Sequence, residues 1–432
     1  MKRILITFAT ICFCSQIVFA QFSGSGSGTS SDPYRIFNAD QLTQLRNFLN
    51  QEGVYFKLQN DLDLTDWLAE NYPGQGWQPV GSSAEPFKGI LDGNNKTISG
   101  FSITRSSTDY VGLFAYVTGA TIKDLTLKGD ISGKAYVGSL MGRGTATVTN
   151  YTFEGTVTGT GSYTGGVGGY QSTASTNLTV KATVKGANYT GGVYGYGAGI
   201  TTATFTGQVT GSSSYVGGLE GSASGTFSAC TVTAPVKSSS SSAQYVGGLI
   251  GYARAAITAS NCKQIGIVQG KSYTGGLVGY APANVTLNNC IHRNDITGST
   301  NTGGAIGGSK DGAVNLTSCY VEGNITGTTS VGGICGIIQD ANSSMISGCH
   351  YWGNINGNGC LGGIVGKREN DSYIDFNSTV TAGQRGAFNG LSVLDSKCFF
   401  KEAPQFDKRS SDDWYYVSSS RYVLTTEITS VH

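Results

Sequence analysis

A glycine-centred block recurs ten times between Tyr110 and Gly366. Clear copies read Tyr163-Thr-Gly-Gly-Val-Gly-Gly-Tyr170, Tyr245-Val-Gly-Gly-Leu-Ile-Gly-Tyr252 and Tyr273-Thr-Gly-Gly-Leu-Val-Gly-Tyr280. Counted from the Tyr or its equivalent, the blocks start at 110, 136, 163, 189, 215, 245, 273, 301, 330 and 360, at intervals of 26 to 30 residues. A near-constant period in this range marks a solenoid, in which each unit buries its apolar face only against its neighbours.

A second block, lying between the glycine blocks, tells which way side chains point. It reads apolar-x-apolar-x-Gly-x-Val/Ile-x-Gly. Its first column is Leu125, Tyr151, Leu178, Ala203, Cys230, Cys262, Cys290, Cys319 and Cys349. Six residues on stand Ile131, Val157, Val184, Val209, Val236, Val268, Ile296, Ile325 and Ile355, an unbroken β-branched column. Alternation with period two is the strand signal, and the positions between are mostly polar. Each unit thus supplies a strand with one buried face, and in-register stacking makes a parallel sheet with side-chain ladders. No repeat sustains a helical period, which disfavours a leucine-rich repeat. Rungs about 4.8 Å apart give ten rungs a span of roughly 45 Å, wound right-handedly as parallel crossovers nearly always are. Gly at 65 of 432 residues is about twice the usual share, and charged residues at 13% are about half. Both suit tightly turned coils with long sheet surfaces.

The ends read differently. Lys2 and Arg3 precede an apolar run from Ile4 to Phe19, too short to span a membrane, with a cleavage site after Val18-Phe-Ala20. Residues 1–20 are therefore read as a signal peptide, with no lipid anchor at Cys12 or Cys14. Removing them leaves 26 Lys plus Arg against 27 Asp plus Glu. Such a near-neutral chain offers no electrostatic case for nucleic acid or acidic lipid, and no second hydrophobic span follows. Residues 21–32 form a Gly/Ser-rich leader, expected to be flexible. Residues 33–109 are read as an N-terminal cap with early coils. There Asn38 caps a helix through about Asn50, with Leu42, Leu45 and Leu49 on one face. Residues 110–385 are the repeats, and 386–432 a C-terminal cap, since a solenoid end exposes apolar cross-section and strand edges. The expected class is all-β: a right-handed parallel β-helix solenoid with a small α/β N-terminal cap and a C-terminal cap.

Gly275-Gly-Leu-Val-Gly-Tyr280, Gly247-Gly-Leu-Ile-Gly-Tyr252 and the pairs Asn261-Cys262 and Asn289-Cys290 resemble the GLUG repeat. The Asp32-Pro-Tyr start, Trp77-Gln-Pro-Val-Gly81 and Phe87–Gly93 resemble the leader of such proteins. The resemblance covers roughly residues 32–385. It implies an exported, secreted or cell-surface bacterial protein of adhesin type, and no catalytic residues are carried over with it. Gly303-Gly-Ala-Ile-Gly307 and Gly332-Gly-Ile-Cys-Gly336 depart from the motif by lacking the terminal Tyr.

Few residues invite chemistry. In the earlier rungs the cysteine column holds Leu125, Tyr151, Leu178 and Ala203, so it is an apolar core position and not a metal site or disulfide series. His292 is expected to be packed in the core, His350 to point outward, and His432 ends the chain. Asp130, Asp295 and Glu322 are isolated, whereas lyases and hydrolases on β-helices need clustered acids or bases. The Ser132-to-Asn356 column is broken by Lys185, Lys237 and Gln269, which argues against a threonine array for ice. No catalytic residue, metal ligand or cofactor is therefore assigned. The tyrosine column from Tyr110 to Tyr273 stacks sugars or covers the glycine turn. The later outward face carries Ile265, Ile267, Ile291, Tyr320, His350 and Trp352, and exposed apolar clusters mark interaction sites; the alternative is a loop folded over it. Tyr320, His350 and Trp352 are the candidate binding residues. A glycan or surface protein is the expected partner; a carbohydrate-active enzyme and a structural spacer are the alternatives.

Overall fold

The computed structural model describes residues 22–339, 344–369, 374–380, 414–418 and 421–424. The alternation read from the repeats builds a parallel β-solenoid of about ten turns. In the larger sheet the long strands Phe114–Gly133, Met141–Gly159 and Ser175–Gly186 lie side by side. Leu125 pairs with Tyr151 and Tyr151 with Leu178; Ile131 pairs with Val157 and Val157 with Val184. A second sheet of eight short strands holds the first glycine of each block in register, from Gly165 through Gly191, Gly217 and Gly247 to Gly362.

The Val/Ile column is the spine of the core, none of its members more than 2% exposed. From Tyr163 onward the glycines of the block are kept for a steric reason. A Cβ on Gly169 would stand 2.6 Å from the Cα of Tyr136 in the preceding coil, and one on Gly248 would strike the Gly276 carbonyl of the next. Side chains there would push the coils apart and break both ladders.

The N-terminal region closes one end. Tyr34–Ile36 pairs in parallel with Tyr55–Leu58, which pairs with the long strand Ile90–Thr104. Asn38 caps its helix as expected: its Oδ1 accepts from the Gln41 amide at 2.9 Å, and Gln41 Oε1 accepts from the Phe37 amide at 2.7 Å. The helix does not run to Asn50. Ala39–Thr43 is α-helical, and Gln44–Phe48 tightens to a 3-10 turn. Leu42, Leu45 and Phe48 recur every third residue and all three are buried, the geometry a three-residue turn provides.

The Gly/Ser-rich leader is not free over residues 22–32. Phe22 is 4% exposed and packs on Tyr34, Phe48 and Phe56. The Ser25 carbonyl accepts from the Arg35 amide, and the Gly28 carbonyl accepts from the Tyr55 amide, each at 2.9 Å. One aromatic anchor and two backbone bonds outweigh the flexible composition. The signal peptide at 1–20 lies outside the described residues, as does most of 386–432. Within the latter, Trp414–Ser418 pairs antiparallel with Arg421–Leu424.

Candidate functional site

Two outward surfaces gather aromatic side chains. The first follows the glycine turns. Tyr110, Tyr136, Tyr163, Tyr189, Tyr215, Tyr245 and Tyr273 all take left-handed φ values, between 50° and 68°. This backbone is unfavourable for a bulky residue. It turns each ring outward over the preceding coil. The rings then stack coil upon coil, with centroids 4.7 Å apart for Tyr110–Tyr136, Tyr136–Tyr163 and Tyr163–Tyr189 and 4.3 Å for Tyr189–Tyr215. So the rings pack on one another and cover the turn, while staying half-exposed.

Beside them runs a second column from the end of the block: Tyr116, Arg143, Tyr170, Tyr196, Ser222, Tyr252 and Tyr280, in register. Arg143 lies over the Tyr170 ring at 4.7 Å. Ser222 leaves a gap that Arg254 fills from the next coil. Its guanidinium sits 3.6 Å above the Tyr196 ring and donates to the Ser222 carbonyl and to Ser224 Oγ. Burial and neighbouring phenols push Tyr136, Tyr163 and Tyr245 up, and Tyr189 to about 12, so these four remain neutral hydrogen-bonding groups at physiological pH.

The second surface lies on the later coils. Lys263, Ile291, Tyr320 and His350 form one outward row, and Ile265, Arg293, Glu322 and Trp352 the next. Tyr320 and His350 stack face to face, centroids 5.4 Å apart and 5° from parallel. Burial lowers the His350 pKa and so favours the neutral ring. Arg293 holds Glu322 at 3.2 Å and lies 5.9 Å from the Tyr320 ring centroid. Trp352 is 44% exposed and Ile265 38%, so no described loop covers this face. The three candidate residues therefore stand together: Tyr320 beside His350, and Trp352 two positions along the His350 strand.

The other polar candidates go inward. His292 is fully buried with Nε2 2.8 Å from the Asn294 carbonyl oxygen, and burial brings its pKa to about 4. Cys230, Cys262, Cys290, Cys319 and Cys349 are buried thiols, and Cys230, Cys290 and Cys319 donate to backbone carbonyls at 3.4 Å. Cys360 is disulfide-bonded. Among the described residues no group of three or more His, Cys, Asp or Glu could hold a metal ion, and no helix is long and apolar enough to cross a membrane.

Sequence reasoning missed the arginine insertions and a buried acid. Glu220 is fully buried; its Oε1 accepts from the Gly199 amide at 3.3 Å and Oε2 has no partner. The signal was available, because Glu220 stands in a column otherwise held by Tyr194, Ile250 and Val278. The arginines gave none: only the gap at Ser222 explains Arg254.

No family model matches the chain. A protein of Evansella cellulosilytica named "Putative Gly-rich membrane protein" is 37% identical over 144 residues, 32% of this chain and 16% of that protein. Halomucin of Haloquadratum walsbyi is 34% identical over 105 residues, 24% of this chain and 1% of that protein. The chain thus spans a small part of the length of the curated relatives it matches. A crystal structure titled as a "putative immunoglobulin A1 protease" from Bacteroides ovatus aligns over 93% of this chain and 94% of its own at 17% identity, with a TM-score of 0.34.

Proposed function

We propose that the protein is an exported, surface-associated β-solenoid of adhesin type, related to GLUG-repeat proteins, that presents its outward faces to a glycan or to a surface protein. The observation that carries this reading is the exposed stack of Tyr320 and His350 with Trp352 beside it. Aromatic anchors concentrate binding energy at such patches, and in-register strands hold them at a spacing that matches a sugar ring or an aromatic side chain. The Gly-rich relative is named a membrane protein, which supports a surface setting. A glycan array probed with the mature chain tests the reading. Binding without turnover supports it. Shortened products would favour a carbohydrate-active enzyme, and no binding to glycans or surface proteins would favour a spacer.

A further inference from the structure

The solenoid has one clear irregularity between two glycine blocks. The interval from Tyr215 to Tyr245 is 30 residues where the four before it are 26 or 27. The extra residues, Ser238–Ser242, do not dangle. The Ser239 amide donates to the Gly211 carbonyl at 2.9 Å, Ser238 Oγ donates to the Ser213 carbonyl at 2.8 Å, and the Ser240 and Ser242 hydroxyls lie 3.2 Å apart. The loop is thus tied to the preceding coil. It walls a cleft of about 470 Å³ whose floor is the adjoining sheet face.

That floor is one in-register ladder. Thr210 pairs with Lys237, Lys237 with Gln269 and Gln269 with Thr297. Gln208 and Lys271 also line the cleft, and no carboxylate does. Several outward cations elsewhere are neutralised: Lys128 and Lys181 share Glu154, and Arg293 holds Glu322. A polar cleft of nearly equal volume, about 460 Å³, contains Arg35, Lys57 and Lys123. There Asp32 and Asp92 answer all three. At the serine loop neither Lys237 nor Lys271 has a carboxylate within ion-pair distance among the described residues. Lys185, in register with Thr210 on the other side, extends the positive run by one coil.

We infer that this cleft is a binding site for an acidic polysaccharide. Each property of such a chain finds its counterpart. Two ammonium groups meet the anionic substituents, and the serine, threonine and glutamine side chains donate to and accept from ring hydroxyls. An open floor with one polar side chain per strand, about 4.8 Å apart, accommodates a polymer running along the solenoid axis. A cleft without an aromatic wall or an apolar floor disfavours an apolar ligand. The site is separate from the Tyr320 patch, so its failure would leave the proposed function standing.

The test is affinity electrophoresis of the mature chain through gels containing polygalacturonate, dextran sulfate or amylose. The first two distinguish carboxylate from sulfate, and the third is neutral. Retardation is expected in one or both acidic gels and not in amylose, with affinity at least tenfold lower in the K237Q/K271Q variant and falling steeply with salt. The control variant K96Q/K310Q removes two other lysines that have no carboxylate partner among the described residues and should bind as the wild type. Absence of retardation in both acidic gels would overturn the inference. So would equal loss in both lysine variants, which would mean unspecific charge attraction, or undiminished binding by K237Q/K271Q. Circular dichroism establishes that each variant is folded.

Discussion

Two side-chain ladders run along this molecule, and they obey the same register with opposite outcomes. The tyrosines from Tyr110 to Tyr273 stack over the glycine turns and stay half-exposed. The cysteines from Cys230 to Cys349 stack one residue before an outward position and are sealed in the core. In both, the solenoid repeats a side chain at each coil and so multiplies whatever one residue can do. The difference lies in depth. At the turn, repetition makes a continuous aromatic surface with its hydroxyls in water. Inside, repetition makes a column of small, polarizable groups that meet one another and the backbone. Hydrogen bonding between neighbouring thiols, and then burial, push Cys230 and Cys319 up and keep them protonated, as burial with the nearby Cys349 does for Cys335. Position in the repeat, not residue type, decides whether a ladder is available for binding.

The harshest way to break this comparison is to put an outward residue at an inward position. Val209→Asp places a charge between Val184 and Val236, in a column without a polar partner. It should cost roughly 3–5 kcal/mol and lower the melting temperature sharply. An unchanged melting temperature would mean the column is not the core.

Glu220 is the natural instance of a polar residue facing in. Burial pushes its carboxyl up to about 8, with Arg254 and the Gly199 amide pulling the other way. The folded chain therefore holds this proton more tightly than the unfolded chain, whose value is near 4.5. The stability this contributes is complete below pH 4.5 and is lost as pH rises through about 8. Glu220→Gln should flatten that decline and melt higher than wild type at pH 9, with a difference of a few kcal/mol. Parallel pH profiles for the two proteins would contradict the assignment.

Much of this was legible in advance because a repeat prints its structure many times over. One Val among polar residues says little, whereas nine β-branched residues at one offset define a face, and the structure buries every one. Columns with a single occupant were the hard cases. Glu220 stood out only against its apolar neighbours in the column. Arg254 was invisible because it fills a hole made two strand positions and one coil away. The leader misled for a related reason: ten Ser, Gly, Thr and Asp residues suggested freedom, and the anchoring of Phe22 decided otherwise. The left-handed backbone under each Tyr was also illegible, since the residue type argues against it and only the packing of Gly169 and its equivalents requires it.

A gentler probe compares the ladders directly. Tyr189→Ala removes a ring stacked on both Tyr163 and Tyr215 and should cost about 1–2 kcal/mol, because the site is half in water. A loss as large as that of Val209→Asp would place the tyrosines in the core. Thiol labelling draws the same boundary without mutation. Cys230, Cys262, Cys290, Cys319 and Cys349 should react with a maleimide only after denaturation, as read by mass spectrometry. Extensive labelling of the native chain, or disulfides among these five, would dissolve the distinction between the two ladders.

The central claim is that outward aromatic residues on the solenoid bind a partner while the inward ladders only hold the coils together. The most direct measurement is binding of the folded Tyr320→Ala/Trp352→Ala double variant, beside wild type, to whichever glycan or surface protein the wild type recognises. The account predicts at least tenfold weaker binding with a melting temperature within a few degrees of wild type. Undiminished binding by the folded double variant would contradict it and move the search to the tyrosine corner.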